Sequence, residues 1–158
     1  MQMNKKLKSI FFFSILFFVI DQAIKIFLST SMMLNQSTVL IRDFFNITYV
    51  ENTGAAFSIF SDSTLFLIFI GILALVGIII YILKQDHISD LDVFSYSLLL
   101  GGILGNLIDR IFRGYVIDYL SFNIFGYHFP IFNFADICIV GSVILILLDL
   151  LKGDLWRS

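Results

Sequence analysis

The chain has 158 residues, 59% hydrophobic and 14% charged, with a net charge of −2 and a mean hydropathy of +0.97. Soluble domains are closer to roughly half apolar and a quarter charged, no basic face offers itself to nucleic acid, and the single cysteine, Cys138, excludes an internal disulfide framework. The apolar residues gather in four runs with the charges between them or near their ends, which is the pattern of a membrane protein.

The first run, residues 10–28, follows Lys5, Lys6 and Lys8. A cleaved leader would be uninterrupted and end in small residues. Here Asp21 and Lys25 interrupt the run and no such site follows, so a retained spanning helix is expected. Asp21 and Lys25 stand at i,i+4 with the acid first, the better order for a helical ion pair. Such a pair neutralises itself, or additionally braces a neighbouring site.

The segment 29–63 is too rich in aromatic and β-branched residues for a linker. Phe44 to Val50 reads as a strand. Asn52 suits a turn as well as a site. Gly54 to Phe60, small and then greasy, reads as a short interfacial element.

Residues 64–83 and 93–111 form the second and third spans, joined by a loop carrying Asp86, Asp90 and Asp92. Gly101 and Gly105 make a small-xxx-small pair that admits a neighbouring helix. Asn106, Asp109 and Arg110 then crowd a single turn, more polarity than helix packing requires. Arg113 lies past the predicted helix end. In the segment 112–133, Asp118 sits in the apolar stretch Val116 to Leu120, and Ser121 to Phe129 reads as a hairpin turning near Gly126. The only proline, Pro130, falls in this segment, so no span carries a proline kink.

The fourth span, residues 134–151, opens with Asn133 as N-cap, which puts Asp136 at N3, favoured by the helix dipole and by a capping box. Cys138 reads as a small buried residue. Asp149 falls about 20 Å further along the helix, at about 1.5 Å per residue, and is expected to be inert. Counting Lys and Arg, Lys5, Lys6, Lys8, Lys84, Lys152 and Arg157 oppose Lys25, Arg42, Arg110 and Arg113, which predicts both termini in the cytoplasm.

Elimination narrows the chemistry. His87 and His128 fall on opposite predicted sides of the membrane and form no zinc-binding helix motif. No serine has a base or a nucleophile elbow, Cys138 has no partner, and phosphate-cradling glycine loops are missing. Carboxylates remain. Two acids held close together share a proton, so one serves as base and the other as acid without metal or cofactor. Asp136 at a helix N-terminus is expected to favour the charged form, and Asp118 in apolar surroundings the neutral one.

Five motifs then carry a resemblance. They are Asp21-Gln22 with Lys25, Asn52-Thr53-Gly54-Ala55-Ala56-Phe57, Gly105-Asn106-Leu107-Ile108-Asp109-Arg110, Val116-Ile117-Asp118, and Phe132-Asn133-Phe134-Ala135-Asp136. In this order, on four spans, the chain resembles the lipoprotein signal peptidases, the type II bacterial signal peptidases. The resemblance implies a single membrane domain: a mainly α four-helix bundle with a small extracytoplasmic β-cradle and a short interfacial helix. It implies a catalytic pair at Asp118 and Asp136, with Asn52, Gly54, Asn106, Asp109, Arg110, Asn133, Ala135, Asp21 and Lys25 binding substrate or supporting the site. It implies cleavage of prolipoproteins immediately before a diacylglyceryl-modified cysteine, no cofactor, inhibition by lipopeptide-like antibiotics, and a monomer among bacterial plasma-membrane lipids. One departure is Ile137, where the family commonly has a small hydroxyl residue directly after the second aspartate.

Two rival classes are a transporter or channel subunit and a structural scaffold. An ion path needs polar groups through the full depth of the bundle, whereas these gather at one end. A scaffold has no use for so many buried charges.

Overall fold

The computed structural model describes residues 2–54 and 63–155. Helix α1 (Gln2–Ser31) leads into strands β1 (Ser37–Ile41) and β2 (Phe45–Asn52). Helices α2 (Thr64–Leu83) and α3 (Asp90–Arg113) follow, then strands β3 (Val116–Ile124) and β4 (Tyr127–His128), and helix α4 (Phe134–Leu155). All four helices are long and apolar enough to cross a membrane. Spanning backbone must satisfy its own hydrogen bonds, which is why these runs are helical. The expected interfacial element at Gly54 to Phe60 falls, apart from Gly54, outside the described residues.

Three helices outrun their apolar runs. Helix α1 starts well before residue 10, so Lys5, Lys6 and Lys8 lie on it, and the Lys6 ammonium reaches the Ile88 carbonyl (2.5 Å) and Asp90 (3.3 Å). Helix α3 starts at Asp90 rather than at residue 93. Ser89 and Asp92 form a capping box, Ser89 Oγ accepting from the Asp92 amide at 3.0 Å and Asp92 accepting from the Ser89 amide at 2.8 Å. Asp90 and Asp92 are therefore first-turn helix residues, not loop residues, at the end where the dipole favours acids. At its other end α3 includes Arg113 and stops at Gly114, whose φ of 84° is the left-handed cap that favours glycine.

Helix α3 is the hub, packing against α1, α2 and α4. Its glycines make this possible. A Cβ on Gly101 would meet Phe17 Cβ at 2.7 Å, one on Gly102 would meet the Ala135 carbonyl at 2.5 Å, and one on Gly105 would meet Asp21 Oδ2 at 2.5 Å. One face thus admits α1 and the next admits α4. Most outward side chains, such as Phe11, Leu65, Leu73 and Leu147, are large and apolar, as lipid contact requires. In the half of the bundle away from the sheet, the buried hydroxyls of Ser14, Ser97 and Ser142 bond to carbonyls of their own helices, Ile10, Val93 and Ile139. Ser97 also lies 3.4 Å from the Ile10 carbonyl of α1, and among the described residues these hydroxyls bond to backbone rather than to one another.

The strands make one antiparallel order, β1-β2-β3-β4. Strand β1 was not anticipated, although its sequence Ser-Thr-Val-Leu-Ile is β-branched. The hairpin between β3 and β4 turns at Phe125 (φ 52°) and Gly126 (φ 85°), both left-handed as a type I′ turn demands. In β2, Ile47 pairs with Leu120 and Val50 with Asp118, so β2 spends one extra residue over this stretch. That bulge re-phases the strand. Tyr49 enters a core with Leu28, Ile117 and Tyr119 that seats the sheet on the end of the bundle.

Candidate active site

Strand β3 delivers Asp118, and the first turn of α4 delivers Asp136, to the same place. Asp118 is 4% exposed. Its Oδ2 accepts from Asn52 Nδ2 at 2.8 Å and its Oδ1 from Asn133 Nδ2 at 2.6 Å. Asp136 Oδ1 accepts from Asn106 Nδ2 at 2.7 Å, and Oδ2 from the Asn133 amide at 3.2 Å. Asn133 Oδ1 in turn accepts from the Asp136 amide at 3.0 Å, so the capping box read from the sequence is present. The same Asn133 donates to Asp118, so one residue ties both carboxylates together. Burial, followed by the charge of Asp136, pushes the Asp118 carboxyl up to about 6, against the opposing pull of the Asn52 and Asn133 hydrogen bonds. Burial also holds the Tyr119 phenol above its ordinary range.

Asn52 ends β2 and does two things. Its Oδ1 accepts from the Gly54 amide at 2.9 Å, a local turn bond, while its amide holds Asp118. Arg110 donates to the Gly54 carbonyl at 2.8 Å and to the Asn106 carbonyl at 3.3 Å. Its Nε is buried with no hydrogen-bond partner among the described residues. Ala135 is fully buried, and its amide donates to Asp21 Oδ1 at 3.0 Å. Ile137, 48% exposed, faces away from the site, and both Asp136 oxygens have donors without it. Asp149 lies exposed at the far end of α4.

Behind the pair lies a buried ionic cluster richer than the single pair read from spacing. Lys25 Nζ contacts Asp21 Oδ2 and Asp109 Oδ2, both at 2.8 Å, and Asn106 Oδ1 at 3.0 Å. Asp109 also pairs with Arg113. Gln22 donates to Asp109 Oδ1 at 3.1 Å and to the Gly105 carbonyl at 3.2 Å, and accepts from Arg113 at 3.1 Å. Arg113, expected past the helix end, lies inside α3, and Gln22, a motif residue with no expected role, joins the network beside it. The i,i+4 spacing of Asp109 and Arg113 was the signal that could have found the first. For Gln22 spacing offers none, because apart from the adjacent Asp21 its partners come from another helix.

The arrangement is a membrane bundle with a hydrogen-bonded carboxylate pair at one end, Asp118 buried and Asp136 half-buried, under a small sheet. Its fold is shared with solved bacterial membrane enzymes. A structure determined by the in meso method at 2.3 Å superposes with a TM-score of 0.89 and 36% identity, covering 96% of this chain and 92% of the other. A second, at 1.9 Å, gives 0.82 and 37%, covering 92% and 94%. The chain belongs to the signal peptidase (SPase) II family, whose family model matches residues 13–152. It is 41% identical over 138 residues to a lipoprotein signal peptidase of Clostridium acetobutylicum, covering 86% of this chain and 90% of the relative. It is also 41% identical over 134 residues to that of Staphylococcus aureus, covering 85% and 82%. It is accordingly a membrane protein and a protease of the signal peptidase II type.

Proposed function

We propose that the protein is an aspartic endopeptidase in which Asp118 and Asp136 act together on water, cutting diacylglyceryl-modified prolipoproteins immediately before the lipidated cysteine. The carrying observation is Asn133, bonded to both carboxylates from the junction of sheet and helix. In the reaction the charged aspartate takes a proton from water as the oxygen attacks the scissile carbonyl, and the protonated one gives its proton to the carbonyl oxygen. Collapse of the tetrahedral species breaks the C–N bond, and a proton passes to the departing amine. The upward shift of Asp118 supports it as holder of the shared proton. The unpartnered Arg110 Nε is a donor suited to a peptide carbonyl of the substrate.

In the proposed orientation both termini are cytoplasmic, which the Lys and Arg distribution supports, and the aspartates lie near the outer leaflet of a bacterial plasma membrane. A diacylglyceryl anchor there would hold the bond to be cut at the depth of the pair. Lipopeptide-like antibiotics would compete for the same site, and the enzyme would act as a monomer. The locally satisfied serines of the lower bundle support this reading over an ion path. The test is cleavage of purified lipidated prolipoprotein. Asp118→Asn and Asp136→Asn are each expected to abolish it, while Asp149→Asn, the same change on the same helix as Asp136, retains it. Wild-type rates for either active-site variant would refute the two-aspartate mechanism.

A further inference from the structure

Asn106 presents a chemical choice. Its carboxamide has a donor end and an acceptor end of nearly equal shape, and only the donor end can serve Asp136 Oδ1, 2.7 Å away. Turned by half a rotation, the amide would set an oxygen against a carboxylate. Lys25 stands on the other side. Its ammonium has three protons and three acceptors, Asp21, Asp109 and Asn106 Oδ1, and it is fully buried. A flipped Asn106 would turn an NH2 toward that ammonium and leave one of its protons without an acceptor, in a place where no water reaches.

Asn106 Oδ1 also accepts from Asn133 Nδ2 at 3.2 Å, so the same choice propagates. Asn133 keeps its NH2 on the side of Asn106 and Asp118, and its oxygen on the amide of Asp136. Lys25 itself is held from both helices. Asp21 is fixed by the Ala135 amide and Asp109 by Arg113 and Gln22.

From this geometry we infer that Lys25 is a positioning residue that acts through Asn106. It selects the amide orientation in which Asn106 donates to Asp136 and accepts from Asn133, whose NH2 also donates to Asp118. The inference rests on the two-aspartate reading and deepens it. It also assigns Gln22 and Arg113 to holding the carboxylate that holds Lys25.

The test is a double-mutant cycle of Lys25→Met and Asn106→Ala, with single-turnover cleavage of lipidated prolipoprotein, alongside wild type and Asp118→Asn. Met keeps the length of the lysine stem and removes the ammonium. A freed amide that misorients the reacting groups reduces the chemical step by about 10–100-fold, with KM within about 2-fold of wild type. In the Asn106→Ala background the same lysine change then has little further effect, because the group it positions is gone. Multiplicative losses across the cycle, or a Lys25→Met rate within about 2-fold of wild type, overturn the inference. If Lys25→Met does not fold, Lys25→Met with Asp109→Asn replaces it, leaving Asp21 and Arg113 as one opposite charge each, read out the same way. A dead Asp118→Asn beside an additive cycle leaves the two-aspartate reading standing and removes only the role of Lys25. A live Asp118→Asn removes the reading itself.

Discussion

Replacing Asp118 by Asn separates chemistry from stability, because the two respond to pH differently. The carboxyl rises from 3.8 to about 6 on folding, mainly through burial. A folded-state value above the unfolded one means that protonation favours the fold. The contribution to stability is fully present below the unfolded value of about 4 and is lost as pH rises through about 6. A shift of about two units corresponds to about 3 kcal/mol when complete, and about half of that accrues between about pH 5 and pH 8. In a chain of this size each 1 kcal/mol moves Tm by about 2–4 °C, so the wild type is expected to lose about 3–6 °C across that range from this group alone. Asp118→Asn does not ionise and lacks that loss. It carries a constant penalty instead, since Asn52 and Asn133 both donate to Asp118 and an amide can accept at only one of its two atoms. The difference between pH values isolates the ionisation from this offset. The assay is thermal unfolding in detergent at about pH 5 and 8 for both proteins, beside the cleavage measurement. Parallel Tm profiles would show that Asp118 is not desolvated as its burial implies, even if cleavage were abolished.

In the proposed mechanism the pair acts as a unit, so Asp118→Asn with Asp136→Asn is expected to cleave no more slowly than either alone; a further drop in single-turnover rate would count against a shared mechanism. Arg110→Ala is expected to lower kcat/KM with little change in Tm, because it faces the site through Gly54 and Asn106, whereas Arg113→Ala lowers Tm first by taking from Asp109 one of its two cationic partners and leaving Lys25 shared between two acids; matched losses in both measurements would dissolve the distinction. Gly102→Ala drives a Cβ to 2.5 Å from the Ala135 carbonyl and is expected to separate α3 from α4, at a cost of about 1–3 kcal/mol in detergent melting; an unchanged Tm would mean the interface gives easily. In a Cys138→Ala background, a cysteine at Ser37 is expected to label with an impermeant reagent from outside cells and one at Asp86 is not; the reverse pattern would invert the proposed topology.

The four spans were legible because a bilayer leaves the backbone one solution, and residues 64–83 matched α2 at both ends. Where a helix continues beyond the apolar run, hydropathy is silent and local chemistry decides. Ser89 with Asp92 is a capping box legible in its spacing, which an apolar run starting at residue 93 does not register. The convergence of Asp118 and Asp136 was not legible from spacing. They are separated by a hairpin, and it was elimination of other chemistries and then the resemblance, not spacing, that joined them. Asn52 looked like a turn residue and is one, but its second hydrogen bond crosses to β3, a register that depends on a bulge no sequence pattern announced. Lys25 shows the same limit. Its i,i+4 partner Asp21 was readable, while Asp109, equally close, comes from another helix.

The ionic cluster also bears on how the chain enters the bilayer. Asp21 and Lys25 are one turn apart on α1, and Asp109 and Arg113 one turn apart on α3. Each of these pairs can therefore be matched within its own helix before the other arrives, which spares these four groups the cost of a bare ion in lipid, about 2.5–3.5 kcal/mol per charge near mid-membrane. Only when α1 and α3 meet across Gly101 and Gly105 does Lys25 gain its second carboxylate and its asparagine. Two helices, each carrying an internal ion pair, become cross-linked on assembly, so the finished site reports that the bundle has closed.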